Sequence, residues 1–472
     1  MEWVPKLDEK SRESLYAQLY RYFKNEIETS ILQKNMRLPS IRYLADSLNI
    51  SRTTVHMAYQ QLLAEGYIES KERSGYYVAK LNDDLPGAGV QNHPIPLLER
   101  GSKKETNHIL NNFYMSDIDT AHFPLDRWRS CMNKLLKDER KDFLTYGERQ
   151  GEWELRSVLS DYLHRARGVN CSPEQIVIGA GTQSVLQILF RIMKWNHKRF
   201  AMEEPGYEGA RRVFQQHDIQ VVPVPVQKDG LSIRDLIKTQ ADIVYITPSH
   251  QYPMGMIMPI SKRIRLLHWA EENEGWIIED DYDGEFRYRG KPIPSLQGID
   301  EHGRVIYVGT FSKSLMPAIR VSYMVLPKSL LDVYRSSDMY TTAQSASRLH
   351  QLTLKLFMES GEWDRHIRKM RTLYRKKHSL LLETIREAMG EHVCVSGEDA
   401  GLHIVLHVKS SKSADELVRI AEQAGVKAYS TSKNWIQGKP PIPILLGFGG
   451  LSFDEIKQGI KRLNAAWRPY YR

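Results

Sequence analysis

Cysteine is nearly absent. Three residues, Cys131, Cys171 and Cys394, stand far apart in a chain of 472. An odd, dispersed set leaves no disulfide framework and no close pair for a structural zinc. No metal is expected, and a reducing cytoplasm is the expected home. Long apolar runs are missing too. No segment approaches the roughly 18 consecutive apolar residues of a membrane span, and Met1-Glu2-Trp3-Val4-Pro5-Lys6 lacks the basic start and apolar core of a secretory leader. The expectation is a protein neither secreted nor membrane-embedded. Internal repeats and low-complexity tracts are lacking, and 41% apolar with 26% charged residues excludes bulk disorder and fibres. Nor is charge one-sided. Sixty-six Lys and Arg against 57 Asp and Glu give +9, which permits a polyanionic partner and is equally ordinary for a metabolic enzyme.

The first eighty residues read as one unit, α+β in class. Leu15, Leu19, Tyr22, Phe23 and Ile27 recur at the three- and four-residue steps of an amphipathic helix. After Leu38-Pro39-Ser40, a second apolar face is formed by Ile41, Leu44, Ala45 and Leu48. Ser51 then stands at the N-cap of a third helix that buries Val55, Ala58, Tyr59, Leu62 and Leu63 and stops at Gly66. Tyr67–Ser70 and Tyr76–Val78 predict two short strands around Arg73-Ser74-Gly75. Two helices, a short turn and a hairpin make a winged helix-turn-helix. Ser51-Arg52-Thr53-Thr54 opens the helix that would enter a major groove, Arg42 can reach the backbone, and Arg73 at the wing tip can enter a minor groove. A plainer reading makes these solvated surface charges, since residues 1–80 carry 12 basic and 10 acidic side chains.

The phrases Leu38–Ala45, Ile50–Val55, Tyr59–Ile68 and Arg73–Val78 closely resemble the DNA-binding domain of GntR-type bacterial regulators. The resemblance implies contacts to a double-stranded DNA operator from Arg42, Ser51, Arg52, Thr53, Thr54 and His56, with the wing at Arg73 and Gly75. His56 departs from the longer basic side chain often found at its position.

Residues 81–110 lose periodicity and read as a linker, rich in Gly, Pro, Asn and Asp. From 111 the pattern is α/β. Seven apolar runs, at 175–181, 199–205, 220–226, 241–247, 275–281, 304–310 and 321–327, predict one large, mostly parallel sheet covered on both faces. After about 340 the chain turns helical and charged, then returns to strand-like runs at 401–408 and 442–448, a smaller α+β lobe.

Four signals in this second region suit a pyridoxal 5'-phosphate (PLP) site. Thr310-Phe311-Ser312-Lys313 follows a buried strand, with Arg320 seven residues on. A lysine among apolar neighbours is left partly neutral, free to condense with an aldehyde, while Arg320, Thr310 and Ser312 can hold a phosphate. Ile277–Tyr282 is a strand ending in carboxylates, able to pair a pyridinium nitrogen, with a phenol for the ring hydroxyl. Gly181-Thr182-Gln183 offers amides and a helix dipole to a phosphate, and Tyr207 follows Pro205-Gly206 where a ring can stack. Singly, each has a blander reading: a surface lysine, a metal or capping carboxylate, a helix start, a packing aromatic.

In this order they resemble the fold type I, aspartate-aminotransferase-like PLP proteins over 111–472, with a large lobe to about 340 and a small lobe from about 341. The resemblance implies that Lys313 forms the internal aldimine, that Asp280 faces the pyridine nitrogen and that Tyr282 faces the ring hydroxyl. It also implies that Thr310, Ser312, Arg320, Gly181, Thr182 and Gln183 hold the phosphate and that Tyr207 stacks. Two departures stand out. Tyr252 occupies the turn before Pro253 where such enzymes have an asparagine, so that one cofactor contact is altered. No arginine occurs between Arg419 and Arg462, where they carry a substrate-carboxylate clamp, which leaves Arg211, Arg212, Lys433 or Lys439 as substitutes, or a ligand without a carboxylate. Asp281 and Asp283 are read as loop or helix-start carboxylates.

Both halves in one chain resemble the MocR/GabR type of bacterial regulator. That resemblance implies a homodimer, arranged head to tail, that senses a small-molecule amine or amino acid by external aldimine formation at Lys313. The alternative is a working PLP-dependent aminotransferase that the N-terminal domain merely localises. Effector, operator and sign of regulation are not written in the sequence.

Overall fold

In a computed structural model, residues 5, 7, 8, 10, 11, 13–72, 74–80, 109–137, 142–193, 195, 198–288, 290, 293–341, 345–438 and 443–472 are described. The chain divides into two compact units, Met1–Glu105 and Thr106–Arg472. All but two residues of the linker assignment, 81–110, and the wing residue Arg73 fall outside the described residues.

In the first unit, α1 (Leu15–Glu28), α2 (Ile41–Leu48) and α3 (Arg52–Ala64) are followed by the hairpin β1 (Ile68–Lys71) and β2 (Gly75–Val78). The helix boundaries have local causes. Ser40 accepts from the Tyr43 amide, and Asn49 closes α2 in the left-handed conformation at φ 52°. Ser51 Oγ accepts from the Thr54 amide at 3.0 Å. Leu19, Phe23 and Ile27 of α1 pack on Leu44, Val55, Tyr59 and Leu62, with Ile68 and Val78 closing the hairpin over the same core. Removing the thirteen buried apolar side chains of this core, these nine among them, from water is what holds so small a unit together. The expected winged helix-turn-helix is present.

The second unit starts with a two-residue strand, β3 (Asn111–Asn112), and builds a central sheet from β4 (Ile176–Gly179), β5 (Phe200–Glu204), β6 (Val221–Gln227), β7 (Gly230–Leu231), β8 (Ile243–Ile246), β9 (Trp276–Asp281), β10 (Val305–Thr310) and β11 (Ser322–Val325). Its order is β4-β11-β10-β9-β8-β5-β6-β7. The seven expected runs are all strands. β11 runs antiparallel to both neighbours, and β7 adds an antiparallel edge that the sequence pattern did not mark. Alternation explains the covered faces. Val177, Met202, Tyr245, Ile278, Ile306 and Met324 pack to one side. Neighbouring residues Ala201, Val244, Ile277 and Val305 pack to the other.

The small lobe is an antiparallel sheet of β12 (Val393–Ser396), β13 (His403–Val408), β15 (Tyr429–Ser430) and β16 (Ile444–Gly447), ordered β12-β13-β16-β15. A further strand, β14 (Val426–Lys427), pairs in parallel with β3. The helices Glu362–Met389, Ala414–Gln423 and Phe453–Trp467 cover this lobe through Tyr374, Leu381, Leu417, Ile456, Ile460 and Trp467.

Candidate functional site

Parallel strands of such a sheet end together, and the loops that leave those ends carry chemistry. β9 ends in Asp280 and Asp281, β10 in Thr310, β8 just before Thr247 and β5 in Glu204. Asp280, Thr310 and Thr247 line a cavity of about 680 Å³. The structure brings Lys313, Asp280, Tyr282, Thr310, Ser312, Arg320, Thr182, Gln183, Tyr207 and Tyr252 to its wall. Gly181 lies directly behind it, against Arg320.

Lys313 is buried, and its Nζ donates to the carbonyl of Met115. Burial pushes its amine down to about 8, although the Asp283 and Asp117 carboxylates pull the other way. A neutral, nucleophilic fraction therefore exists near neutral pH. Asp280 is also buried. Its Oδ2 accepts from the Tyr245 hydroxyl, whereas its Oδ1 is buried without any hydrogen bond among the described residues. Desolvation pushes this carboxyl up to about 7. An orphaned buried carboxylate oxygen is costly unless a donor arrives.

On the opposite wall, Arg320 takes the left-handed conformation at φ 53° and donates through Nη2 to the Ala180 carbonyl at 2.7 Å. Gly181 has φ 108°, and a Cβ there would fall 2.1 Å from Arg320 Nη2. Only glycine leaves room for the guanidinium beside the first turn of the helix Thr182–Met193. Thr310 Oγ1 donates to Ser312 Oγ at 3.0 Å and accepts from Ser322 Oγ at 2.7 Å. Hydroxyls, a guanidinium and a helix N-terminus thus meet at one cavity, a set of groups whose chemistry suits an anion. Tyr207 and Tyr252 stand edge to face, their centroids 5.7 Å apart, and Tyr252 meets Tyr282 at 6.0 Å in the same manner.

Beneath Tyr282 lies a pair that sequence reasoning missed. His250 Nδ1 is 3.0 Å from Asp283 Oδ2 and 3.0 Å from the Tyr282 hydroxyl. One ring nitrogen carries one proton. If the carboxylate fixes that proton on Nδ1, the Tyr282 oxygen can only accept from it, and the phenolic hydrogen is left to point into the cavity. Asp283 does stand in the loop past β9, as expected, but there it is a buried partner of His250 rather than a free carboxylate. Asp281 is likewise corrected: it ends β9, accepts from Arg167 Nε at 2.6 Å and from the Tyr307 hydroxyl at 2.7 Å, and is a structural ion-pair member. His403 joins His250 and Asp283 in a group whose ligand-type atoms lie within 4.8 Å. Direct bonding of His250 to Asp283 gives that group the spacing of a hydrogen-bonded pair.

Of the substitutes for the missing arginine, Arg212 and Lys433 line the cavity, with Leu445 of β16 between the lobes' walls. Arg212 pairs with Glu208 at 2.7 Å. Arg211 instead donates to the Lys433 carbonyl, and Lys439 lies outside the described residues. The segment bearing Lys433 is fastened from below: Glu204 Oε1 accepts from the amides of Ile436, Gln437 and Gly438 at 2.7–3.1 Å. Asn434 Nδ2 donates to the Gly206 carbonyl at 2.9 Å.

On the reader unit, Arg42, Arg52, Thr53 and His56 are exposed along α2 and α3. Arg42 lies only 3.9 Å from Asp46, a loose solvent-exposed pair. Ser51 and Thr54 are partly committed: the Ser51 oxygen caps α3 and bonds the Thr54 hydroxyl at 2.8 Å. Gly75 opens β2 at φ 110°, and the exposed Arg37, unnoticed in the sequence, bridges Tyr77 beside it. Its signal was its place just before Leu38-Pro39, but only the hairpin pairing puts it at the wing.

Comparison with known proteins agrees with both halves. Residues 15–78 match the family of bacterial regulatory proteins, gntR family, and residues 112–433 match aminotransferase class I and II. The HTH-type transcriptional regulator YdeL of Bacillus subtilis is 44% identical over 99% of this chain and 100% of its own length. The probable rhizopine catabolism regulatory protein MocR of Rhizobium meliloti is 32% identical, covering 98% and 95%. A solved kynurenine aminotransferase from Pyrococcus horikoshii, in complex with PMP, superposes with a TM-score of 0.69 at 24% identity, over 77% of this chain and 91% of that one.

Proposed function

This chain belongs to the MocR-type transcriptional regulators, a gntR-family reader joined to a class I and II aminotransferase domain, and on that footing we propose that it is a PLP-dependent DNA-binding regulator. Its effector is an amine or amino acid that competes with Lys313 for the cofactor. The observation that carries this reading is the meeting, in one cavity, of a neutralised lysine, an orphaned carboxylate oxygen and an anion cradle.

These residues fit the cofactor. Asp280 Oδ1 would accept a hydrogen bond from the protonated pyridine nitrogen, Arg320, Thr310, Ser312 and the amides at Gly181–Gln183 would hold the phosphate, Tyr207 and Tyr252 would flank the ring and Tyr282 would donate to its hydroxyl. When bound, the cofactor supplies an aldehyde that exchanges amines and an electron-poor ring. Lys313 supplies the competing amine, and burial keeps it partly unprotonated for that exchange. Coupling between cavity and reader is a free energy, typically about 1 to 3 kcal/mol. Second copies are expected to pair through the large domain, since Leu125, Leu136, Leu144, Tyr146 and Trp153 all expose apolar surface. No described helix is long and apolar enough to cross a membrane, and the working place is the cytoplasm.

Lys313→Ala tests the reading. The variant should bind operator DNA at its basal level, measured by footprinting, and lose its response to every effector tried. A normal response would remove Lys313 from signalling. An active aminotransferase is the second reading, favoured by Lys313, Asp280 and Tyr282 sharing one cavity and opposed by Leu445 standing in β16 with no arginine there. Steady turnover of an amino donor with a keto acid would establish it.

A further inference from the structure

DNA affinity rests largely on phosphates, and the reader is poorly equipped for them: 12 basic and 10 acidic side chains leave residues 1–80 with a surplus of two out of the chain's nine. The surplus sits elsewhere. Between Arg365 and Lys376, one helix carries six Lys and Arg and no acid. Trp363, Ile367, Met370 and Tyr374 bury one side of this helix, Glu362–Met389. Arg365, Arg368, Lys369, Arg375 and Lys376 are left exposed on the other, at steps of three, four and seven that keep them on one face. Arg365 pairs with Glu362 at 2.6 Å, a carboxylate that Arg127 also approaches at 3.9 Å. The side chains of Arg368, Lys369, Arg375 and Lys376 have no ion pair or hydrogen bond among the described residues.

We infer that this stripe is a second DNA contact, which holds duplex phosphates in addition to those the reader meets. The inference rests on the regulator reading above. The eleven steps from Arg365 to Lys376 advance about 16 Å, a span over which duplex DNA presents on the order of ten charges. Four cations without internal partners face outward, and like charges of this density repel a second copy of the same face, so a polyanion is the occupant their chemistry selects.

The test uses the full-length, cofactor-loaded protein and a mixed-sequence 60-base-pair duplex. The variant Arg368→Gln, Lys369→Gln, Arg375→Gln, Lys376→Gln keeps helix propensity, and an unchanged melting temperature verifies its fold. The expected result is at least about tenfold weaker binding near 0.1 M salt, and a slope of log K against log salt flatter by about 2 to 4. Arg52→Ala measured alongside keeps the steep slope of the wild type less about one unit. An unchanged affinity and slope in the fourfold variant overturns the stripe while leaving the regulator reading intact. A wild type that binds no duplex at any salt overturns both. Loss of binding to phosphatidylserine vesicles with DNA binding retained assigns the stripe to a membrane surface and overturns the inference as well.

Discussion

Gly181→Ala is the sharpest probe of the anion cradle. The added methyl would stand 2.1 Å from Arg320 Nη2 and 2.9 Å from its Cζ, far inside contact distance. The backbone at φ 108° resists correction, because a β-carbon there costs roughly 1 to 3 kcal/mol of strain. A guanidinium is the mobile end of its side chain, so the clash is relieved by moving Arg320 away from the space the phosphate needs. The loss is one charge-assisted hydrogen bond set, about 1.5 to 3 kcal/mol, or about ten- to a hundredfold in cofactor Kd. Equilibrium dialysis of PLP against cofactor-free protein reads it directly. A double-mutant cycle separates strain from displacement: in an Arg320→Ala background, Gly181→Ala should weaken cofactor binding far less than in the wild type. An unchanged Kd in Gly181→Ala, or full additivity with Arg320→Ala, would refute the cradle.

Three further outcomes follow from single groups. Burial holds Asp280 near 7 in the cofactor-free protein, whereas an exposed aspartate titrates near 4. The folded state then binds the extra proton, so stability falls as pH rises from about 4 to about 7. Asp280→Asn should flatten that fall and stabilise the cofactor-free protein at pH 8 by up to about 4 kcal/mol, while weakening cofactor binding; urea titrations of both proteins across pH check it. His250→Ala strands the buried Asp283 carboxylate and should cost about 1 to 3 kcal/mol in the same titration, with His250→Asn, whose amide reaches the Nδ1 position, recovering part of it. Arg52→Ala should weaken operator binding by about 1 to 3 kcal/mol and relax specificity at one base, read by competition against single-base operator variants.

Much of this architecture was legible because it is periodic or punctuated. The seven central strands are nearly continuous apolar runs, Lys313 is marked by where one of them stops, and Ser51 is marked as the cap before the apolar face of α3 begins. Pairings between distant segments are different in kind. His250 and Asp283 lie 33 residues apart, and neither has a neighbour in sequence that announces the other. Asp281 and Asp283 look alike in Glu279-Asp280-Asp281-Tyr282-Asp283, yet the pleat sends Asp281 to Arg167 and the loop sends Asp283 to His250. Ser51 illustrates a third case. Its type predicted both a cap and a DNA contact, and the hydrogen bond from the Thr54 amide shows the cap, which takes up one of the acceptor positions of its hydroxyl.

The fastening at Glu204 bears on how such a cavity can diversify. Its carboxylate grips the segment of Ile436, Gln437 and Gly438 by main-chain amides alone. Every amino acid except proline offers the same amide. Side chains along that segment can therefore drift through many identities while the anchor endures, and the wall at Lys433 and Asn434 stays in register with whatever ligand the lineage comes to favour. Specificity can wander there without the scaffold having to be rebuilt.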